Sequence, residues 1–285
     1  MWLRNKIISN FVYDLLVLLF CQLIFVVPAG HGQDGLRLTM DLAQYQDSDR
    51  RPYLEIYYSF PEASVKYMAN SDGSFSSRIV MAMQIYKENS LWASDLWKAE
   101  KTIEDTSKIK ENSQMVDMVR YFLDEPAQYR IVIHARDMNQ EGTMDSIATH
   151  IKTKKYSPNN LELSDVQLAS HIRKPSNQSS KFVKNHYEVI PNPTLVFGEG
   201  TPILYYCFEA YNLLNNVPGT KYKCLAFLKD SNGSVVAGLG KPAHTKKKKY
   251  DFSVEIGMIN ISKLPTGQYF FVYGISDSTG AQLVA

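Results

Sequence analysis

Apolar and polar residues alternate with period two over several short stretches of this chain, the pattern of strands that turn one face to a core. Leu54, Ile56, Tyr58 and Phe60 make one such row, and Leu204, Tyr206, Phe208 and Ala210 another. Tyr129, Ile131, Ile133 and Ala135 alternate with Arg130, His134 and Arg136; Tyr269, Phe271, Tyr273 and Ile275 form a fourth row. Further strands are expected at 78–86, 114–122, 146–153, 222–228 and 251–258, the last with Phe252, Val254, Ile256 and Met258 in alternation. Asp72-Gly73 and Pro218-Gly219 supply the backbone angles of tight turns between them. The stretch from Leu161 to Ile172 reads as a strand or a helical turn. Many short strands separated by turn signals predict an all-β sandwich fold.

The strands repeat. LDEPAQYRIVIHARDMNQEG, from Leu123 to Gly142, matches LPTGQYFFVYGISDSTG, from Leu264 to Gly280. Tyr129 maps onto Tyr269 and Asp137 onto Asp277 at one constant offset, while the prolines slip by one residue. The upstream strands LEIYYSF and LYYCFEAYNL match in the same order. Such self-similarity predicts two copies of one β module. Leucine and proline just before a strand-opening tyrosine resemble the tyrosine corner of immunoglobulin- and fibronectin-like sandwiches. Tyr129 and Tyr269 are the candidates, in a structural role. The expected organisation is a signal peptide at 1–32, a first β-sandwich at 33–156, and a linker with a second β-sandwich at 157–285. The joint falls near Tyr156, before the loop signal Ser157-Pro158-Asn159-Asn160. The first copy has a last strand at 146–153. The second stops five residues after Gly280, so its last strand is expected to be truncated, or the sandwich closed by another segment.

The first 32 residues change the picture of where the protein works. Arg4 and Lys6 precede an apolar run from Leu15 to Val27, and small residues follow at Ala29, Gly30 and Gly32. That is the layout of a secretory signal peptide, with cleavage expected before Gln33. An uncleaved anchor is the rival, but Asp14 shortens the run below the ~20 residues of a spanning helix. The protein is therefore expected to be exported: periplasmic, cell-surface or secreted, touching membrane only through this segment. Cys21 follows Phe20, where a lipoprotein signal wants a small residue, and reads as part of the apolar core.

Composition adds less. The chain has 285 residues, 45% of them apolar, with 18 Tyr and 13 Phe, which suits pleated half-buried surfaces. Of 31 basic and 29 acidic residues the leader takes Arg4, Lys6 and Asp14, leaving 29 and 28. So near-neutral a chain gives no reason to expect nucleic acid. Lys246 to Lys249 is the one basic run, read as a solvated loop or a polyanion contact.

The residues also suggest a family. LEIYYSFP, LELSDVQLASHI, PNPTLVFG, YYCFEAYNL and LPTGQY, in that order from Arg51 onwards, resemble the N-terminal region of bacterial GWxTD domain-containing proteins. The resemblance implies export and a C-terminal domain bearing Gly-Trp-x-Thr-Asp. No such pentapeptide occurs here; the tryptophans are Trp2, Trp92 and Trp97. A fragment of a longer protein is therefore expected. The resemblance carries over no activity and no functional residue.

Chemistry is sparse. Cys207 and Cys224 fall on strands that pair as a hairpin around residues 215–219, so a cross-strand disulfide and two free thiols are both open. The six histidines (His31, His134, His150, His171, His186 and His244) form no H-x-H or H-x-x-x-H pair, and no metal or other cofactor is expected. His134 reads as a surface residue. There is no G-x-S-x-G, phosphate loop or dinucleotide fingerprint. Asp137 and Asp277 read as turn caps. Tyr53, Tyr57, Tyr205 and Tyr211 fall opposite the core rows, where outward aromatics contact a glycan, a peptide or a protein, or pack between domains. The expectation is a non-catalytic spacer or interaction platform, its partner being its own C-terminal domain or an envelope protein. The alternative is a carbohydrate- or peptide-binding protein using those four tyrosines, and an enzymatic site is left only to a missing domain.

Overall fold

The computed structural model describes residues 35–110, 112–123, 127–198, 200–236 and 245–285. The signal segment with Arg4, Lys6, Asp14 and Cys21 lies outside them, as do His31, His244 and the Pro126 of the repeat. Among the described residues the chain is almost entirely antiparallel β. Its first strands are β1 (Thr39–Gln46), β2 (Pro52–Pro61), β3 (Met68–Ala69), β4 (Phe75–Lys87), β5 (Ser90–Ile103), β6 (Gln114–Phe122), β7 (Gln128–Asp137) and β8 (Met144–Lys152). Then come β9 (Glu162–Leu163), β10 (Gln167–Arg173), β11 (Val183–Lys184), β12 (Tyr187–Pro191), β13 (Ile203–Tyr211) and a four-residue helix α1 (Leu213–Asn216). The last are β14 (Lys221–Asp230), β15 (Thr245–Lys247), β16 (Phe252–Asn260), β17 (Tyr269–Asp277) and β18 (Gln282–Val284). No helix among the described residues is long and apolar enough to cross a membrane.

The repeat read from the sequence is present in the strand pairing. One copy pairs as β1-β2-β6 and β5-β4-β7-β8, the other as β10-β13-β16 and β15-β14-β17-β18. Every strand matched in the sequence takes the same place in both orders. The Asp turns match too. The Asp137 carboxylate accepts from Asn139 N at 2.7 Å, and that of Asp277 from Thr279 N at 2.8 Å. Gly142 and Gly280 close the two turns at φ 78° and 102°, where a side chain would be strained.

The chain forms two compact units whose borders cut across the repeats. One takes the chain up to Met40, Ser59–Met115 and Pro126–Thr153; the other takes Asp41–Tyr58, Val116–Glu125 and Lys154–Ala285. The first unit holds the sheet of β3, β4, β5, β7 and β8. Its β4–β5 hairpin turns on Glu88 and Asn89, both left-handed as a two-residue hairpin turn requires. Ile79, Met81, Met83 and Ile85 on β4, with Tyr129, Ile131, Ile133 and Ala135 on β7, are buried as one row, as the alternation predicts.

The second unit is three sheets deep. Its central sheet runs β11-β12-β10-β13-β16, with β9 also on β13. One face packs on β15-β14-β17-β18 through Leu163, Phe208, Ala210, Tyr222 and Ile275, and further along through Leu204, Leu228 and Ile259. The opposite face is covered by the β1-β2-β6 strands.

Three expectations change here. Leu161–Ile172 is two strands, β9 and β10. The apolar row of β16 is inward only at its middle: Val254 and Ile256 pack against Ala169, Val189 and Cys207 while Phe252 and Met258 at its ends are exposed, and Glu255 and Ile259 are buried on the other face. And β13 and β14 are not a hairpin. Asn212 turns left-handed at φ 62°, anchored by its side-chain amide to the carbonyls of Ser157 and Asn160, and α1 carries the chain from one sheet to the other. β13 pairs with β16, and β14 with β17.

Candidate functional site

The site begins with an alternation that the sequence reads only in part. On β2, Leu54, Ile56, Tyr58 and Phe60 face one way, and Tyr53, Glu55 and Tyr57 the other. Both rows are buried, with Glu55 and Tyr57 at 0% exposure. The second row lies in a cluster of Ala43, Tyr45, Tyr53, Tyr57 and Met118, with Phe182 against it. β11 and β12 deliver the group that makes this burial tolerable. Asn185 and His186 turn left-handed between them, and Lys184 points inward.

Glu55 is fully engaged. One carboxylate oxygen accepts from Tyr57 Oη and Lys184 Nζ, both at 2.5 Å. The other accepts from Arg120 of β6 at 2.6 and 3.2 Å through Nη2 and Nε. Lys184 Nζ also donates to Tyr57 Oη at 3.2 Å and sits 3.9 Å from the centre of the Tyr45 ring. Arg120 lies 4.9 Å from the centre of the Tyr53 ring. Burial pushes the Glu55 carboxyl up, but Lys184 and then Arg120 overcome it and hold it below its ordinary value. The network is a charge lock that ties β2, β6 and β11 together.

Nearby, Glu209 on β13 behaves in the opposite sense: burial raises its pKa, with Tyr211 Oη donating to it at 2.6 Å. Tyr211 Oη in turn accepts from Gln46 N of β1 at 3.0 Å. A parallel cluster lies on the other side of the central sheet. There Glu255 accepts from Tyr222 Oη and Ser253 Oγ, each at 2.7 Å, from the Cys224 thiol at 2.7 Å, and from Lys246. Lys248 donates to the carbonyls of Leu214 and Val217. The basic run is therefore neither a solvated loop nor a uniform patch, since alternate lysines turn inward.

These placements correct the sequence reading of the tyrosines. Tyr53, Tyr57 and Tyr211 are buried, because a second layer covers the strand faces taken as outward. Tyr205 is half-buried and stacks on His171 at 6.2 Å between ring centres. Of the corner candidates, Tyr269 Oη donates to the carbonyl of Pro265 at 3.0 Å, the expected bond to upstream backbone. Tyr129 is buried with its ring edge-on to Trp92, and the matching upstream residues 124–126 lie outside the described ones.

The cysteines are both free and belong to different sheets, so the cross-strand disulfide is withdrawn. Burial pushes the Cys207 thiol up to about 12; burial and then Glu255 also raise Cys224. His134 is half-buried, its pKa lowered by burial and then by Arg130. Among the described residues, no group of three or more His, Cys, Asp or Glu side chains is placed to hold a metal ion. Sequence reasoning missed Glu55, Lys184, Arg120 and Glu255. The available signal was a glutamate set between tyrosines in an otherwise apolar strand. No family model matches the chain, and no curated protein matches its sequence.

Proposed function

We propose that the chain is an exported, non-catalytic tandem of immunoglobulin- or fibronectin-like β-sandwiches that serves as an interaction platform in a bacterial envelope. The repeated strand order supports the tandem. The observation that carries the platform is the apolar row of edge strand β16, whose ends stand clear of the core: Phe252 and Met258 are 45% and 43% exposed, while Val254 and Ile256 between them are half-buried against Ala169, Val189 and Cys207. A contiguous apolar row at a sheet edge marks a protein contact. The charge lock and the Glu255 cluster hold the sheets on either side of this row, so it is offered on a rigid support. The partner is an envelope protein or a further domain of the same polypeptide, as the resemblance to GWxTD domain-containing proteins implies.

A photo-crosslinking residue at Met258 tests this in the producing cell. A single adduct of discrete mass is expected, absent when the probe is moved to exposed Asn232. No adduct at Met258, or equal adducts from both positions, would contradict the platform reading.

A further inference from the structure

The near-neutral net charge of the chain conceals a basic sheet face in the first unit. Pairing register fixes which residues share it. Arg78 lies opposite Glu100, Val80 opposite Lys98 and Arg136, and Tyr86 opposite Arg130; Arg130 in turn lies opposite His150, and Gln128 opposite Lys152. Directly opposed residues point to the same side of a sheet, and each step of two along a strand keeps that side. Arg78, Lys98, Arg130, Arg136 and Lys152 therefore share the face away from the buried row of Ile79, Met81, Ile131 and Ile133. Glu100 is the acidic residue among these positions, and it is paired with Arg78 at 3.0 Å. Arg78, Lys98, Arg130, His150 and Lys152 are exposed. The lowered pKa of His134, on the same face, reflects burial and the Arg130 charge.

One end of this face opens into a cleft of about 390 Å³. That size suits a small ligand or one unit of a longer one. Arg130 lies over the Tyr86 ring at 5.1 Å and, with Lys152, forms its cationic side, with His150 beside them. The amides of Asn89 and Gln128 and the carboxylate of Glu88 line the rest. Amides and a carboxylate satisfy hydroxyl groups, while the cations satisfy an acid. One tyrosine is too little stacking surface for a run of bases. Arg130 to Arg136 spans roughly 20 Å along the strand at about 3.4 Å per residue, so an extended chain would meet cations at both ends.

We propose that this face binds an acidic polysaccharide, seating one uronate unit in the cleft beside Arg130 and Lys152 and laying the rest along the sheet towards Lys98 and Arg136. This goes beyond the platform reading and uses a different surface, so either stands without the other.

Calorimetric titration of the purified protein with oligogalacturonate tests it, with neutral oligogalactan, polyglutamate and single-stranded DNA as comparison ligands. Oligogalacturonate is expected to bind, to weaken in 0.5 M salt, and to lose at least about tenfold in affinity in the Arg130→Gln/Lys152→Gln variant. The Lys247→Gln/Lys249→Gln variant should bind as the unaltered protein does. Thermal melting checks that both variants fold, and Lys98→Gln provides a second variant on the face. Absence of binding, full affinity in both face variants, or equal affinity for polyglutamate or DNA would overturn the proposal.

Discussion

Glu55 and Lys184 lie far apart in the chain and depend on each other in the fold. Lys184 alone would be a buried charge without its partner, and Glu55 alone would keep only half-exposed Arg120 and Tyr57 of its donors; breaking a buried pair costs about 3–5 kcal/mol. Lys184→Met should therefore lower the urea-unfolding free energy by about that amount. The double variant Glu55→Leu/Lys184→Met should recover most of the loss, because exchanging a whole buried pair for apolar groups is close to neutral. Half-exposed Arg120 can then turn to water. Asp41 predicts a pH effect of the opposite sense. Burial, with Asp165 adding to it, raises its pKa from 3.8 to about 6. A carboxyl raised in the folded state costs stability at neutral pH, and that cost is relieved as pH falls from 7 through 6. Glu55, held low, loses its contribution only as pH falls below the ordinary carboxylate range. Stability should thus rise on going from pH 7 to pH 5 and fall below pH 4. Asp41→Asn should abolish the rise, about 1–2 kcal/mol, in urea midpoints measured at pH 7 and pH 5. None of this was legible in the sequence. A polar residue in an alternating strand reads as solvent-facing, and only a distant segment supplies the cation that makes its burial tolerable.

Strands were far easier to read than what covers them. The expected limits of β6 match the observed ones, and those of β4, β7, β8, β14 and β17 agree within a few residues, because period-two alternation is a local property. Which face is inward is not local. On β16 the apolar row is only half inward: Val254 and Ile256 pack against Ala169, Val189 and Cys207, while on the other face Gly257 lies under the Tyr206 ring, where a Cβ would clash with the tyrosine hydroxyl. Gly257→Ala should cost about 1–3 kcal/mol by overpacking, and Tyr206→Leu in the same chain should relieve part of it. The hairpin expected between β13 and β14 failed for a related reason. A short Pro-Gly-containing connection suits a hairpin, but Asn212 and α1 turn the chain across the sandwich. In protein freed of residues 1–32, both thiols should react with Ellman's reagent after denaturation without reductant. A mass two hydrogens lighter would show a disulfide and contradict the sheet assignment of β13 and β14.

Across the whole chain, the duplication is what the sequence conveyed best. Matching short strands in matching order needs no knowledge of packing, and both copies adopt the same pairing order. The charge on the first unit's outer face escaped notice because its cations come from four strands and are scattered among acidic residues of other faces. The double-sided burial of β13 is not legible in the sequence because it depends on layering of sheets within the second unit. That layering is the central structural claim. Hydrogen–deuterium exchange of the unaltered protein and of Lys184→Met tests it most directly. The expected result is that amides of 53–58 and 204–211 are among the slowest to exchange, and that in the variant 53–58 and 183–189 lose protection together. Exchange at 53–58 as fast as at edge strand β16, or unchanged protection in the variant, would contradict it.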